Sequence, residues 1–212
     1  MSPERTEKFK NVVRRRQANL CVILENVHDH HNIGAVLRTC DSVGVKEIFV
    51  IYSEDHLNQE HLYLGTRAAS GARRWVDVNY YTDVKACFDH VRRDYQNIFC
   101  THLGESSKSL YELDLTENVA LLFGNEHDGV SEAALQYCDG NFLIPQYGMV
   151  QSLNISVACA VSLYEALRQR SLKGFYTDSP TLSLTEQEAL FNEYNRRHVL
   201  KIKNKSVKRL ND

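Results

Sequence analysis

No run of apolar residues in the 212-residue chain approaches the roughly 18–20 needed to span a bilayer. The N-terminus, MSPERTEKFK, lacks the apolar segment of a secretory signal and is charged from its fourth residue, so a cytoplasmic protein is expected. The six cysteines, Cys21, Cys40, Cys87, Cys100, Cys138 and Cys159, form no CxxC pair and have no His at metal-ligand spacing. Most lie in apolar stretches such as NIFCTHL and ISVACAVSL, where a free thiol behaves as a small hydrophobe, so zinc and disulfides are not expected. No GxGxxG follows the first apolar segment and no GxxxxGK[ST] occurs anywhere, which argues against a Rossmann dinucleotide site and a P-loop. A serine elbow is missing as well, so the adjacent His127 and Asp128 have no nucleophile to join. Internal repeats and low-complexity tracts are absent. The 43 % apolar content is ordinary for one globular α/β domain with modest extensions.

A strong net charge is also lacking, at −2 overall, but its distribution is uneven. Residues 1–20 carry six Lys/Arg against two Glu, and residues 195–212 carry seven Lys/Arg against one Asp. The stretch between them holds twelve basic and twenty-four acidic residues. Two basic ends on an acidic body suit contact with phosphate, and they equally suit plain solvation. Arg14, Arg15 and Arg16 form one run; Arg196, Arg197, Lys201, Lys203, Lys205, Lys208 and Arg209 form the other.

Hydrophobic periodicity supplies the fold class. A polar helix is predicted over 3–17, a buried strand over 20–26, a helix from near Asn32 to near Gly44 and a second strand over 46–52. This βαβ unit implies a parallel sheet. Further helices are expected near 56–69 and at 82–93, and strands at 74–78, 97–103, 118–125 and 141–146. Ser131 is the expected cap of a short helix, SEAALQYC. A long helix over 152–170, a Gly/Pro/Ser linker and a final helix over 185–205, acidic first and basic last, complete the pattern.

Three polar clusters fall at strand–helix junctions, where α/β sheets bind ligands. They are Asn32-Ile-Gly-Ala-Val-Leu-Arg38, Gly124-Asn-Glu126-His-Asp-Gly129 and Ile144-Pro-Gln-Tyr-Gly-Met149-Val-Gln-Ser152-Leu-Asn154-Ile-Ser156. Read singly, each residue has a plain explanation. Asn32 could cap a helix or face a ligand. Arg38 could snorkel or form an ion pair, Glu126 could be a solvated loop acid, and Ser152 could be an N-cap. Ile144, Leu153 and Leu122 could be core. Arg168 could stabilise a helix C-terminus or touch nucleic acid. Gly124 and Gly148 are more telling, because glycine permits turns and close approach.

In this order the clusters resemble the three motifs of the SpoU/TrmH RNA 2'-O-ribose methyltransferases, across roughly residues 20–170. The short basic N-terminal helix, the GMVQSLN form of the third motif and the basic C-terminal helix resemble the TrmH branch. That resemblance implies a parallel-sheet α/β trefoil knot, a homodimer, S-adenosylmethionine as cofactor, tRNA as substrate and a guanosine of the D-loop as target; rRNA or another tRNA position is the alternative. It implies a basic helix over 1–18, a methyltransferase domain over 19–172 and a linker with basic helix over 173–212. It implies roles for Arg38, Asn32, Glu126, Ser152 and Asn154 in catalysis, with Glu126 holding Arg38 by a bidentate pair. It places Thr101, Leu122, Gly124, Ile144, Met149 and Leu153 around the cofactor, and directs Arg14, Arg15, Arg16, Arg168, Arg196, Arg197, Lys201 and Lys203 to RNA. The motifs being intact, a knotted RNA-binding protein without catalysis is disfavoured. No metal is implied, since methyl transfer from a sulfonium needs an aligned oxygen whose proton is removed or whose charge is stabilised. Arg38 could serve as base or as electrostatic stabiliser. One departure stands in the second motif, where His127 occupies a position that many members give to a second glycine.

Overall fold

The computed structural model describes residues 2–54, 56–60, 62–63, 69, 71–104, 107–150, 152–199 and, by their backbone, 207–209. Helix α1 spans Pro3–Arg14, capped by the Ser2 hydroxyl. Strand β1 (Leu20–Glu25), helix α2 (His30–Ser42) and strand β2 (Glu47–Ile51) realise the expected βαβ unit. Then come β3 (Asp77–Tyr81), α3 (Val84–Asp94), β4 (Asn97–Thr101) and a two-residue β5 (Lys108–Ser109). The chain continues through β6 (Val119–Phe123), a one-turn α4 (Glu132–Leu135), β7 (Gly140–Leu143) and the long α5 (Ile155–Leu172). Helix α6 (Leu184–Val199) and β8 (Val207–Arg209) end it. The eight strands run in the order β5-β7-β4-β6-β1-β2-β3-β8, and every pairing is parallel.

The differences from the periodicity have local causes. The strand expected at 74–78 begins later, because Ala72–Arg74 form a 3-10 turn and the alternating face is Val78 and Tyr80. Of the helix expected near 56–69, residues 59–60 and 62–63 are helical and 64–68 lie outside the described residues. The last helix stops at Val199, residues 200–206 lie outside the described residues, and 207–209 add an edge strand to β3.

Burial alternates along the strands. Leu20, Val22 and Leu24 of β1 face one layer with Val119, Leu121 and Phe123, packed under α2 and α5. Cys21 and Ile23 face the other with Ala120 and Leu122, packed under α3 and α4. Both faces are therefore covered, as a parallel sheet requires. All six cysteines are free thiols. A third small cluster, Phe9, Val13 and Tyr194 with Trp75, Leu190 and Phe191, joins α1 to α6.

Two buried arginines fasten these layers. Arg170 of α5 donates to the carbonyls of Leu115, Asn19 and Glu117 at 2.8–3.0 Å and to the side-chain oxygens of Asn19 and Gln17. Burial pushes its guanidinium down to about 10, so it still carries its charge at neutral pH. Arg16 contradicts its expected place in an RNA-facing run. It is 1 % exposed and donates to the Tyr194 hydroxyl at 2.9 Å, to Asp41 Oδ1 at 2.5 Å and to the Val45 carbonyl at 3.1 Å. The physical reason is position: Arg16 lies just past α1, where the chain dives under α6 to reach β1, and its charge meets Asp41 at the end of α2. Its neighbours Arg14 and Arg15 stay exposed, with Arg14 donating to the Thr177 carbonyl.

Arg16→Ala should therefore cost about 1–3 kcal/mol, the range for leaving buried hydrogen-bonding groups unmet, since the remaining Asp41 carboxylate is one-third exposed and water can reach it. Arg15→Ala should stay within about 0.5 kcal/mol of the parent. Urea unfolding followed by circular dichroism separates the two, and equal midpoints would refute the structural role of Arg16.

Candidate active site

The strand order reverses direction between β1 and β6, and in open α/β sheets the crevice beyond the strand ends at such a point receives the ligand. Here the first two motifs follow β1 and β6, and the third follows β7. Asp29 caps α2 through its side chain, which accepts from the His31 amide at 2.9 Å. Asn32 is thereby released from capping and sits in the first turn. Its Nδ2 donates to Glu126 Oε1 at 2.6 Å, and its Oδ1 accepts from Asn154 Nδ2 at 3.1 Å. One amide thus joins residues from all three motifs. Asn154, not Ser152, caps α5: its Oδ1 accepts from the amide and hydroxyl of Ser156 at 2.9 and 2.5 Å. Ser152 is exposed in the preceding loop.

The Glu126 loop is shaped by its neighbours. Asn125 exchanges backbone hydrogen bonds with Gly129, and its Oδ1 accepts from the amides of His127 and Asp128 at 2.8 and 2.6 Å. A Cβ on Gly124 would lie 2.0 Å from the Gly129 carbonyl oxygen, and Gly129 has φ +73°. Gly124 is thus required by its own chain folding back. Glu25, 1 % exposed at the end of β1, accepts from the Ser131 amide at 2.9 Å and hydroxyl at 2.5 Å, anchoring the far end of the loop. Ser131 caps α4 as expected. Glu25 and Asn125 were not singled out by sequence. The available signal was an acid ending the otherwise apolar LCVILE, because a buried carboxylate needs a partner.

Arg38 lies on α2, solvent-exposed, and no hydrogen bond or ion pair among the described residues engages it. The bidentate Arg38–Glu126 pair implied by the resemblance is not formed; Glu126 is instead bonded to Asn32, whose amide lies within reach on the first turn. An exposed cation of this kind is available to an anion or a developing negative charge.

The residues assigned to the cofactor fall on adjacent strands. Thr101 ends β4 opposite Phe142 of β7, and Leu122 of β6 stands opposite Cys100. Ile144 follows β7, and Met149 and Leu153 lie in the loop before α5. Thr101, Ile144 and Leu153 are half-buried and Met149 is fully exposed. The Leu122 side chain is wholly buried against α3 and α4, in keeping with its reading as core. The loops after β4 and β7 leave Leu103, Tyr147, Met149 and Val150 exposed. This uncovered apolar surface beside strand-end backbone groups fits an adenosine moiety.

The basic residues divide. Arg14 and Arg15 are exposed. Arg168 is paired with Glu165 by two bonds of 2.9 and 2.8 Å, and Arg196 with Glu193 by two of 2.8 Å. Arg197 donates to Glu193 and to Asp77, tying α6 to β3. Hydrogen bonding from Arg196, aided by Arg197, holds the Glu193 carboxyl down to about 2. Lys201 and Lys203 lie outside the described residues.

This arrangement defines a class, and the comparisons name it. Residues 19–164 match the SpoU rRNA Methylase family, and the chain belongs to that family. It is 42 % identical over 183 residues to the tRNA (guanosine(18)-2'-O)-methyltransferase of Thermus thermophilus, covering 84 % of this chain and 91 % of that one. The A. aeolicus TrmH/SpoU tRNA modifying enzyme superposes with a TM-score of 0.78 at 34 % identity, covering 94 % of this chain and 98 % of the other. The SpoU methyltransferase AviRb from Streptomyces viridochromogenes, solved in complex with the cofactor AdoMet, gives 0.65 at 26 % identity over 74 % of this chain and 62 % of its own. The fold is accordingly the parallel-sheet α/β knot of the SpoU/TrmH methyltransferases.

Asn32→Ala removes the bridge among the motifs while exposing groups that water can reach. Methyl transfer should fall at least about 100-fold, as for loss of one placed catalytic donor, with a stability cost of only about 1 kcal/mol. Single-turnover rates alongside thermal melts test this; an unchanged rate would leave the bridge without a functional part.

Proposed function

We propose that the chain is an S-adenosylmethionine-dependent methyltransferase acting on the ribose 2'-hydroxyl of guanosine 18 in tRNA, in the cytoplasm. The observation that carries this is the Asn32 amide, which unites Glu126 and Asn154 at the crevice, on the same helix as an exposed Arg38. The identity to the Thermus thermophilus enzyme over most of both chains supports the substrate.

The cofactor supplies an electrophilic methyl group. The chain's residues prepare the acceptor. Glu126 and Asn154, fixed through Asn32, present a carboxylate and an amide at the start of α5, where helix N-terminal groups favour a ribose or phosphate oxygen. Ser152 adds a hydroxyl from the adjoining loop. Guanidinium does not surrender its proton under ordinary conditions, so Arg38 acts by stabilising the alkoxide that forms on the ribose. Thr101, Ile144, Leu153 and Met149 line the cofactor side, with the backbone at Leu122 and Gly124. Arg14, Arg15, Arg168 and Arg196 bring exposed charge to phosphate, each displacing roughly one counterion where it makes contact; Lys201 and Lys203 belong to the same proposal.

The active form is a homodimer. Val157 and Tyr164 of α5 are 46 % and 53 % exposed and lie seven residues apart on one helical face, with half-buried Val161 between them. A second copy would cover this apolar face.

Incubation with labelled cofactor and total tRNA, followed by mapping of the modified ribose, should give 2'-O-methylation at guanosine 18; modification elsewhere would overturn the assigned target. Arg38→Ala should lower turnover by about 100–1,000-fold with cofactor affinity nearly unchanged. Arg38→Lys should fail also, since a planar fork and a point charge are not equivalent. Light scattering at micromolar concentration should give twice the chain mass, and the Val157→Glu/Tyr164→Glu variant should give the monomer; a monomeric parent refutes the dimer.

A further inference from the structure

We propose that His28, Glu54 and His56 form a binding site for one divalent transition-metal ion of the zinc class. Sequence spacing gives no hint of it, since 26 residues separate His28 from Glu54. The fold brings them together from the loops after β1 and β2, which are neighbouring strands. Their ligand atoms all lie within 4.8 Å of one another. His28 Nε2 is 3.0 Å and His56 Nε2 is 3.4 Å from the same oxygen, Glu54 Oε2. Metal–ligand bonds of about 2.0–2.1 Å at tetrahedral angles place ligand atoms about 3.3 Å apart, so both separations suit an ion seated among the three. Two imidazoles and a carboxylate are ligands that zinc accepts, with a fourth position left for water.

The ligands stand on a built frame. Asn26, in the left-handed region at φ +48°, accepts from the Ser53 amide at 2.9 Å and donates to the Ser53 hydroxyl at 3.0 Å. These bonds fasten the two loops next to the ligands. Val27 and Leu57 are buried beside them, and the Leu57 amide turns back to the Glu54 carbonyl at 3.0 Å. His28 and Glu54 are about one-third exposed, which leaves an entry path without full solvation. The plain alternative is a carboxylate accepting two imidazole N–H groups. It predicts no metal uptake, and the titration below separates the two readings. A second group, Asp29, His30 and His31, is weaker: its residues are consecutive, and Asp29 is already engaged as the cap of α2.

The bound ion would tie the β2 loop to the segment that leads into α2 and Asn32. It therefore acts by fixing position, outside the methyl-transfer chemistry, and its test does not depend on activity.

The full-length protein, stripped with a chelator and dialysed, is titrated with Zn2+ against a chromophoric competitor and with Co2+ by visible absorption. One ion per chain and a rise in melting temperature with Zn2+ are expected. His56→Ala, at a largely exposed side chain, and Glu54→Gln should each weaken binding by about 100-fold or more, as loss of a ligand must exceed the 10–100-fold typical of outer-shell changes. Both variants should retain the parent's circular dichroism spectrum and lose the melting shift. Absence of Zn2+ binding by the parent, binding unaffected in either variant, or binding lost with His31→Ala but kept with His56→Ala would each overturn the proposal.

Discussion

The side-chain amide of Asn32 is the smallest group that holds the crevice in one shape. An amide has a donor end and an acceptor end, and both are used: Nδ2 toward Glu126, Oδ1 toward Asn154. Aspartate would offer an acceptor alone and set a second carboxylate against Glu126. Glutamine would carry the same chemistry one carbon too far. The bridge also has prerequisites. Asn32 is free for it because Asp29 caps the helix, and Asn154 offers its NH2 because its oxygen is occupied by Ser156. Each asparagine or aspartate thus does at one junction what local hydrogen bonding suits it for, and the three motifs meet because their helices begin at neighbouring strand ends.

Charge, counted along the chain, is a poor guide to where charge meets solvent. Arg16 stands in a run of three arginines and is the one that is buried, because the chain turns inward there and Asp41 waits at the end of α2. Arg197 likewise lies in the basic tail and is spent on Asp77 and Glu193. Arg170 is fully buried and makes no direct ion pair among the described residues; it gathers backbone carbonyls and amide oxygens from the segments around β1 and β6. Such groups fix how the terminal helices sit on the sheet. Replacing Arg170 leaves buried carbonyl and amide oxygens without their donor, which costs more than the lost attraction alone.

The parallel sheet was legible because strands buried on both faces read as unbroken apolar runs, as in LCVIL and VALLF. The motif residues were legible because polar groups interrupted such patterns at strand ends. What was not legible was pairwise geometry. Asn32 as a cap and Asn32 as a bridge are the same letter; only the position of Asp29, three residues earlier, decides between them. Ser152 and Asn154 compete for one capping role, and the register of α5 settles it for Asn154. Leu122 belongs to a motif-bearing strand yet faces the core, since strand alternation assigns it to the α3–α4 side. The short edge strands β5 and β8, two and three residues long, carry too little pattern to be seen.

The second motif shows how a departure from a family pattern can be harmless or informative according to which backbone position bears the constraint. A glycine is needed where a Cβ would collide or where φ is positive. In this loop those conditions fall on Gly124, hemmed in by the Gly129 carbonyl, and on Gly129 itself. Position 127 meets neither. Its amide is held by Asn125, its backbone carries no positive φ, and its side chain is exposed. A histidine there leaves the placement of Glu126 intact, because Asn125 and the Glu25–Ser131 contact fix the loop at both ends. The imidazole is then free to project from the loop, and its ring lies 6.2 Å from that of His28. The residue that breaks the pattern therefore changes the chemistry of the rim of the crevice and not its frame.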